Sequence, residues 1–176
     1  MQSMKANSIA RRIPMVAAIL FLLAACQTVG PQPVHGPFTV EQEQTLEQAG
    51  FVREGDEYFL GIPNRLLFSF DSSELMAGKA TMLNAMATAL AGVGIHGARV
   101  EGYADAIGAS EYNQALSYRR AETVMRMLVA GGMELPAMQV VGLGEAEPVE
   151  SNETEEGRRE NRRVVIVVTP SHAMPL

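Results

Sequence analysis

The 176-residue sequence has no tryptophan and one cysteine, Cys26. The lone cysteine excludes any disulfide within the chain, so the fold must rest on its hydrophobic core. The apolar run from Ile13 to Ala25 holds 13 residues. As a helix it reaches only about 20 Å, against roughly 30 Å of bilayer hydrocarbon, so it cannot span. Histidines are few, and His35, His96 and His172 stand isolated, none at metal-ligand spacing, so no metal site is expected. Paired carboxylates are missing too. Glu101 and Asp105 lie four residues apart, about 13 Å along a strand, wider than the roughly 5 to 9.5 Å between glycosidase carboxyl groups. Catalytic residues are therefore not expected, nor is a cofactor. Positive charge is scarce: 14 basic residues face 20 acidic ones, and Lys5, Arg11 and Arg12 precede Cys26. Without residues 1–25 the formal charge is −9, which argues against a nucleic-acid partner.

The amino terminus combines those three cations, the apolar run and small residues before the cysteine, which is the pattern of a secretory signal over residues 1–25. Leu23-Ala24-Ala25-Cys26 resembles the lipobox of bacterial lipoproteins, which implies cleavage before Cys26 and acylation of its thiol. Three acyl chains, as the resemblance implies, exceed the two needed for stable membrane residence. Residue 27 is Gln, not the Asp that retains lipoproteins in the inner membrane in enteric-type sorting, so the expected location is the periplasmic face of the outer membrane. Residues 26–38, with Gly30, Pro31, Pro33, Gly36 and Pro37, read as a tether. Its 12 residues after the cysteine span at most roughly 40 Å.

Residues 39–64 read as a short helix and a hairpin, a candidate signalling segment. Thr39 and Gln42 have capping-box spacing, and Gly50 can end the helix. Phe51-Val52-Arg53 and Tyr58-Phe59-Leu60 flank Glu54-Gly55-Asp56 as a hairpin. Leu46 and Phe51 bracket the end of a helix too short to be stable alone, and must pack against the domain or a partner. Residues 65–170 alternate strands with helices. Arg65–Phe70, Ala98–Tyr103, Met138–Gly142 and Val164–Thr169 are expected as strands, Gly78–Val93 and Ser110–Ala130 as helices, with Met82, Met86 and Leu90 on the inner side of the first. The expected class is α/β, an α+β sandwich with helices on one face of a mixed sheet. Residues 171–176 form a tail.

Arg120 carries the most chemical information. At about 100° per residue, Leu116, Ala121, Val124, Met127 and Leu128 make one stripe about 140° wide, and Arg120 falls inside it, about 20° from Asn113. A guanidinium on an inner face costs several kcal/mol unless a carboxylate or a ligand satisfies it. Asp105, just after the strand that feeds this helix, is the candidate partner for an internal salt bridge. Alternatively, the two groups face each other across a cleft at a strand end and bind a zwitterion, Asp105 taking an ammonium and Arg120 forking a carboxylate.

The stretch GYADAIGASEYNQALSYRRAETV, then GLGEAEPVESNETEEGRRENRRVVI, with FSFDSSEL upstream, resembles the OmpA-like peptidoglycan-binding domain over residues 65–169. The resemblance implies a βαβαβ sheet and non-covalent binding of stem-peptide diaminopimelate. It further implies Asp105 and Arg120 as anchors, Asn113 and Leu116 beside them, and Asp71, Ser72 and Arg162 at the border. This sequence has Tyr103-Ala104 where the family has His-Thr, which implies weaker binding. CQT, TVEQEQTLEQAGF and RLLF resemble the YfiB family of lipoproteins, which implies an envelope sensor that sequesters a periplasmic repressor, YfiR, of a diguanylate cyclase. The alternative is a purely structural, Pal-like tether between outer membrane and cell wall. Both readings leave a homodimer open. The cluster Arg158-Arg159-Glu160-Asn161-Arg162-Arg163, interleaved with acids and exported, reads as a rim for an anionic wall ligand.

Overall fold

The computed structural model describes residues 37–69 and 71–173. The signal segment, Cys26 and the tether up to residue 36 fall outside the described residues.

Helix α1 (Val40–Gln48) starts on the expected capping box: Thr39 Oγ1 accepts from Gln42 N, and Gln42 Oε1 accepts from Thr39 N. It ends in a Schellman motif, with Gly50 at φ 90°, Phe51 N–H donating to Leu46 O and Gly50 N–H to Glu47 O. That turn brings Leu46 and Phe51 together, and both are buried in the protein's own core. Strands β1 (Val52–Glu54) and β2 (Glu57–Pro63) form the expected hairpin, pairing Glu54 with Glu57.

The strand expected over Arg65–Phe70 is absent from its described part. Its place is taken by the single helical turn α2 (Asn64–Leu67) and an isolated bridge from Phe68 to Leu75. Pro63 cannot donate to a ladder, so β2 stops there and the chain turns. The strand that enters the sheet is β2. Residues 52–63 are therefore built into the sheet and α1 into the core, and removing residues 39–63 would take β1 and β2 with them.

Helix α3 (Lys79–Gly92) buries Leu83, Ala87 and Leu90, while Met82 lies 45% exposed. The expected Met82 face is wrong by about one residue's rotation. Apolar side chains surround most of this helix, so periodicity cannot fix its phase. Strand β3 (Ala98–Tyr103) and helix α4 (Ser110–Ala130) have the expected bounds. After β4 (Met138–Gly144) comes α5 (Glu155–Asn161), which the sequence reading missed, then β5 (Arg163–Val168).

The sheet order is β1-β2-β5-β3-β4, with β3 and β4 parallel and the other neighbours antiparallel. Tyr58, Val100, Val164 and Ile166 on one face meet Leu46, Leu83, Leu90, Val124 and Leu128 of α1, α3 and α4 in one core. Two glycines set the depth of α4 on the sheet: a β-carbon at Gly102 would lie 2.0 Å from Ser117 O, and one at Gly142 2.7 Å from Tyr118 Cβ. Ser117 Oγ accepts from Gly144 N at 3.0 Å, fixing the helix against the end of β4. The first turns of α4 are thus held over the carboxyl end of β3.

Candidate ligand cleft

At that end of β3 lies an open cleft of about 1060 Å³, between the α2 region, the β3–α4 loop, α4 and α5. Asp105, Asn113, Leu116, Arg120, Asp71 and Arg162 all line it. Ser72 contributes through its backbone, its carbonyl accepting from Arg120 Nε at 2.8 Å.

Arg120 is 5% exposed. Its guanidinium carbon Cζ sits 5.6 Å from the centroid of Phe68, a cation–π contact, and its one hydrogen bond within the described residues is that to Ser72 O. No carboxylate of the described residues lies within ion-pair distance of it. Burial draws its pKa below the usual arginine range, and Asp71 partly opposes this. Among the described residues the two terminal nitrogens of the guanidinium have no hydrogen-bond acceptor, while the residue lines the cleft.

Asp105 does not pair with Arg120, so the internal salt bridge weighed from the sequence is not formed. Its Oδ1 accepts from Ile107 N at 3.0 Å, and its Oδ2 is ion-paired with Arg162. Arg162 also reaches Glu155 Oε1 at 2.9 Å. Burial lowers the Arg162 pKa, but the hydrogen bonds to Glu155 and Asp105 outweigh it and raise the net value. Asn113 Nδ2 donates to Asp105 O at 3.1 Å and Ile107 O at 3.0 Å, so it fixes the loop that presents Asp105. Leu116 supplies apolar floor.

Several cleft residues carry no sequence signal of their own. Tyr112 donates its hydroxyl to Asp71 Oδ1 at 2.8 Å, with Asp71 at φ 51°. That bond, before burial, raises the Tyr112 pKa. Asn161, fully buried, accepts from Val149 N and Glu150 N and donates to Glu150 O and Asn152 Oδ1. It ties the 149–152 loop to the residue preceding Arg162. Asn64 N–H donates to Arg162 O at 2.8 Å. Five arginines line the cleft (Arg65, Arg120, Arg158, Arg159, Arg162) against the carboxylates of Asp71, Asp105 and Glu155.

The Tyr103-Ala104 departure divides between two faces. Ala104 borders the cleft. Tyr103 follows Gly102, which faces α4, and so points to the other face of the sheet, where it donates to Glu101 Oε2 at 2.7 Å and lies 3.7 Å under Arg163. Burial, then the Glu101 bond, pushes its pKa up.

A family model described as OmpA family matches residues 67–162. The chain belongs to the OmpA family. Within the family it is similar to the lipoprotein YfiB of Escherichia coli K12, 35% identical over 160 residues, which are 88% of this chain and 96% of that one. The outer-membrane lipoprotein YfiB of Pseudomonas aeruginosa is 38% identical over 146 residues, 83% of this chain and 85% of its own length. These relatives place the chain among outer-membrane lipoproteins. Among solved structures, the peptidoglycan-associated lipoprotein of Burkholderia pseudomallei superposes with a TM-score of 0.52 and 33% identity, covering 58% of this chain and 86% of its own. The OmpA-type fold expected from the sequence, a mixed sheet carrying helices, is the fold observed.

Proposed function

We propose that this OmpA-family lipoprotein grips peptidoglycan non-covalently, through the diaminopimelate of an uncrosslinked stem peptide. The observation that carries the reading is Arg120: a buried cation on the wall of a cleft, bonded to one carbonyl and to no carboxylate of the described residues. A buried charge left in this state is costly unless a ligand completes it. A ligand carboxylate would be forked by the two terminal nitrogens, while the ammonium on the same carbon would meet Asp105. Asn113, Leu116, Asp71, Ser72 and Arg162 complete the proposed site. The peptidoglycan-associated name of the Burkholderia neighbour supports the same ligand.

In this proposal residues 1–25 are a signal peptide, Cys26 is acylated, residues 26–38 tether the chain, and the binding domain follows. Binding to purified sacculi tests the site. Asp105→Ala is expected to lose most sedimentation with sacculi while the thermal transition is retained. Sedimentation like wild type would place the site elsewhere. Palmitate labelling tests the anchor, since Cys26→Ser should abolish it.

The similarity to YfiB covers 96% of the E. coli protein, well beyond the family-model match, and favours a YfiB-like sensor over a Pal-like structural tether. The partner would be a periplasmic YfiR-like repressor of a diguanylate cyclase. Raised cyclic-di-GMP on overproduction is the expected sign. Unchanged levels would leave the tether as the better account.

A further inference from the structure

Arg162 stands between two carboxylates, with one terminal nitrogen on Asp105 Oδ2 and the other 2.9 Å from Glu155 Oε1. The Asp105 side chain is only 10% exposed, so without a ligand it needs a resident cation, and Arg162 is that cation. A ligand ammonium arriving at Asp105 carries the same charge. Arg162 must then yield part of the carboxylate or be repelled from the cleft, where Arg120 leaves no favourable place for a second free cation.

The backbone of Arg162 cannot retreat. Its carbonyl accepts from Asn64 N–H, and Asn161 before it is fully buried and bonded to the 149–152 loop. Only the side chain can move. Glu155 is already in contact with it, and Glu155 is itself held on α5 by Arg158 at 2.9 Å and Arg159 at 3.3 Å. The hydrogen bond from Arg162, then that from Arg158, keeps the Glu155 carboxyl below the usual carboxylate range, so the second seat stays charged.

We propose that Glu155 is a positioning residue of the cleft, the alternative seat that takes Arg162 when the ammonium of a diaminopimelate stem peptide occupies Asp105. This inference rests on the ligand proposed above. Without Glu155, Arg162 would have Asp105 as its one carboxylate and would compete with the ligand at full strength. Glu155 need not touch the ligand to govern its affinity.

The test is calorimetric titration of the full chain in detergent with the tripeptide L-alanyl-γ-D-glutamyl-meso-diaminopimelate. Glu155→Gln is expected to weaken binding on the order of tenfold, and Glu155→Asp to recover part of the loss. In an Arg162→Gln background the same Glu155→Gln change should alter affinity by less than about twofold, because the competitor is gone. A merely structural Glu155 would show equal losses in both backgrounds, and that result overturns the proposal. So does tripeptide affinity in Glu155→Gln equal to wild type while Asp105→Ala has lost binding. If Asp105→Ala binds as wild type does, or wild type does not bind, the ligand reading falls and this proposal with it.

Discussion

Gln42 in α1 and Arg120 in α4 are 6% and 5% exposed, and the protein buries them on opposite terms. Gln42 is bonded inside the protein at both ends of its amide: its Oε1 accepts from Thr39 N at 2.9 Å and its Nε2 donates to Val93 O at 3.1 Å, joining α1 to the turn after α3. Arg120 carries a full charge, yet among the described residues is bonded to a single carbonyl. A buried polar group whose bonds are all made inside the protein is a structural element. Under the proposed function, one left open on the wall of a cleft is held in readiness for a ligand.

Of the two regions, the cleft offers the larger effect on substitution. Arg120→Met keeps the volume and removes the charge. It is expected to weaken stem-peptide binding about 30- to several-thousand-fold, equivalent to about 2 to 5 kcal/mol. Stability should stay level or rise slightly, since an apolar side chain replaces a buried cation that no carboxylate of the described residues pairs. Titration and thermal unfolding on the same sample check this, and a lower melting temperature with intact binding would reverse the assignment of Arg120.

The α1 side should respond in the opposite sense. Leu46, fully buried beside Phe51, belongs to the core, so Leu46→Ala is expected to cost about 2 to 5 kcal/mol of stability. Binding to sacculi should stay within about threefold below the melting transition, because no cleft group is touched. Denaturant unfolding followed by sedimentation with sacculi reads both quantities. A large loss of binding in the folded state would show that α1 and the cleft are coupled.

The smallest effect is expected from a titratable group away from both regions. His172 accepts Thr169 N–H on Nδ1 at 3.0 Å, and burial, then the charge of Arg99, lowers its pKa from 6.5. The folded value lies below the unfolded one. The neutral ring therefore contributes stability that is complete above pH 6.5 and is lost as pH falls through the folded value. Wild type should melt slightly lower at pH 5.5 than at pH 7.5, with the difference reduced in His172→Gln and binding equal in both. Identical slopes in the two proteins would remove His172 from the account.

Much of this was legible in the sequence where local rules and tertiary packing agree. The Thr39–Gln42 spacing, the alternation in Ala98–Tyr103 and the long stripe of Ser110–Ala130 each fixed an element because burial selects the same face that periodicity shows. Arg120 stood out because a charge falls within that stripe. The reading failed where the agreement is absent. Arg65–Phe68 has strand-like residues, but Pro63 and the bond from Asn64 N to Arg162 O turn the chain first. Residues 155–161 have no apolar period. They form a helix through the Thr154 cap, the Arg–Glu pairs and the close approach of Gly157 to Ser151, and only the last of these needs the folded structure. The partner of Asp105 was hidden for the same reason: Arg162 lies 57 residues away, brought back by a helix the sequence does not announce.

That distance has a consequence for folding. The bond from Asn64 N–H to Arg162 O joins the end of β2 to the start of β5, two segments nearly a hundred residues apart in the chain, and the ladder between them must close before Arg162 is in place. Contacts of such long range form late, because the entropy of closing the intervening loop has to be met first. A chain still emerging from translocation, before β5 has joined β2, has no complete cleft. Attachment to the wall would then select for molecules that have finished folding, and the half-made ones would be left unbound for periplasmic proteases to remove.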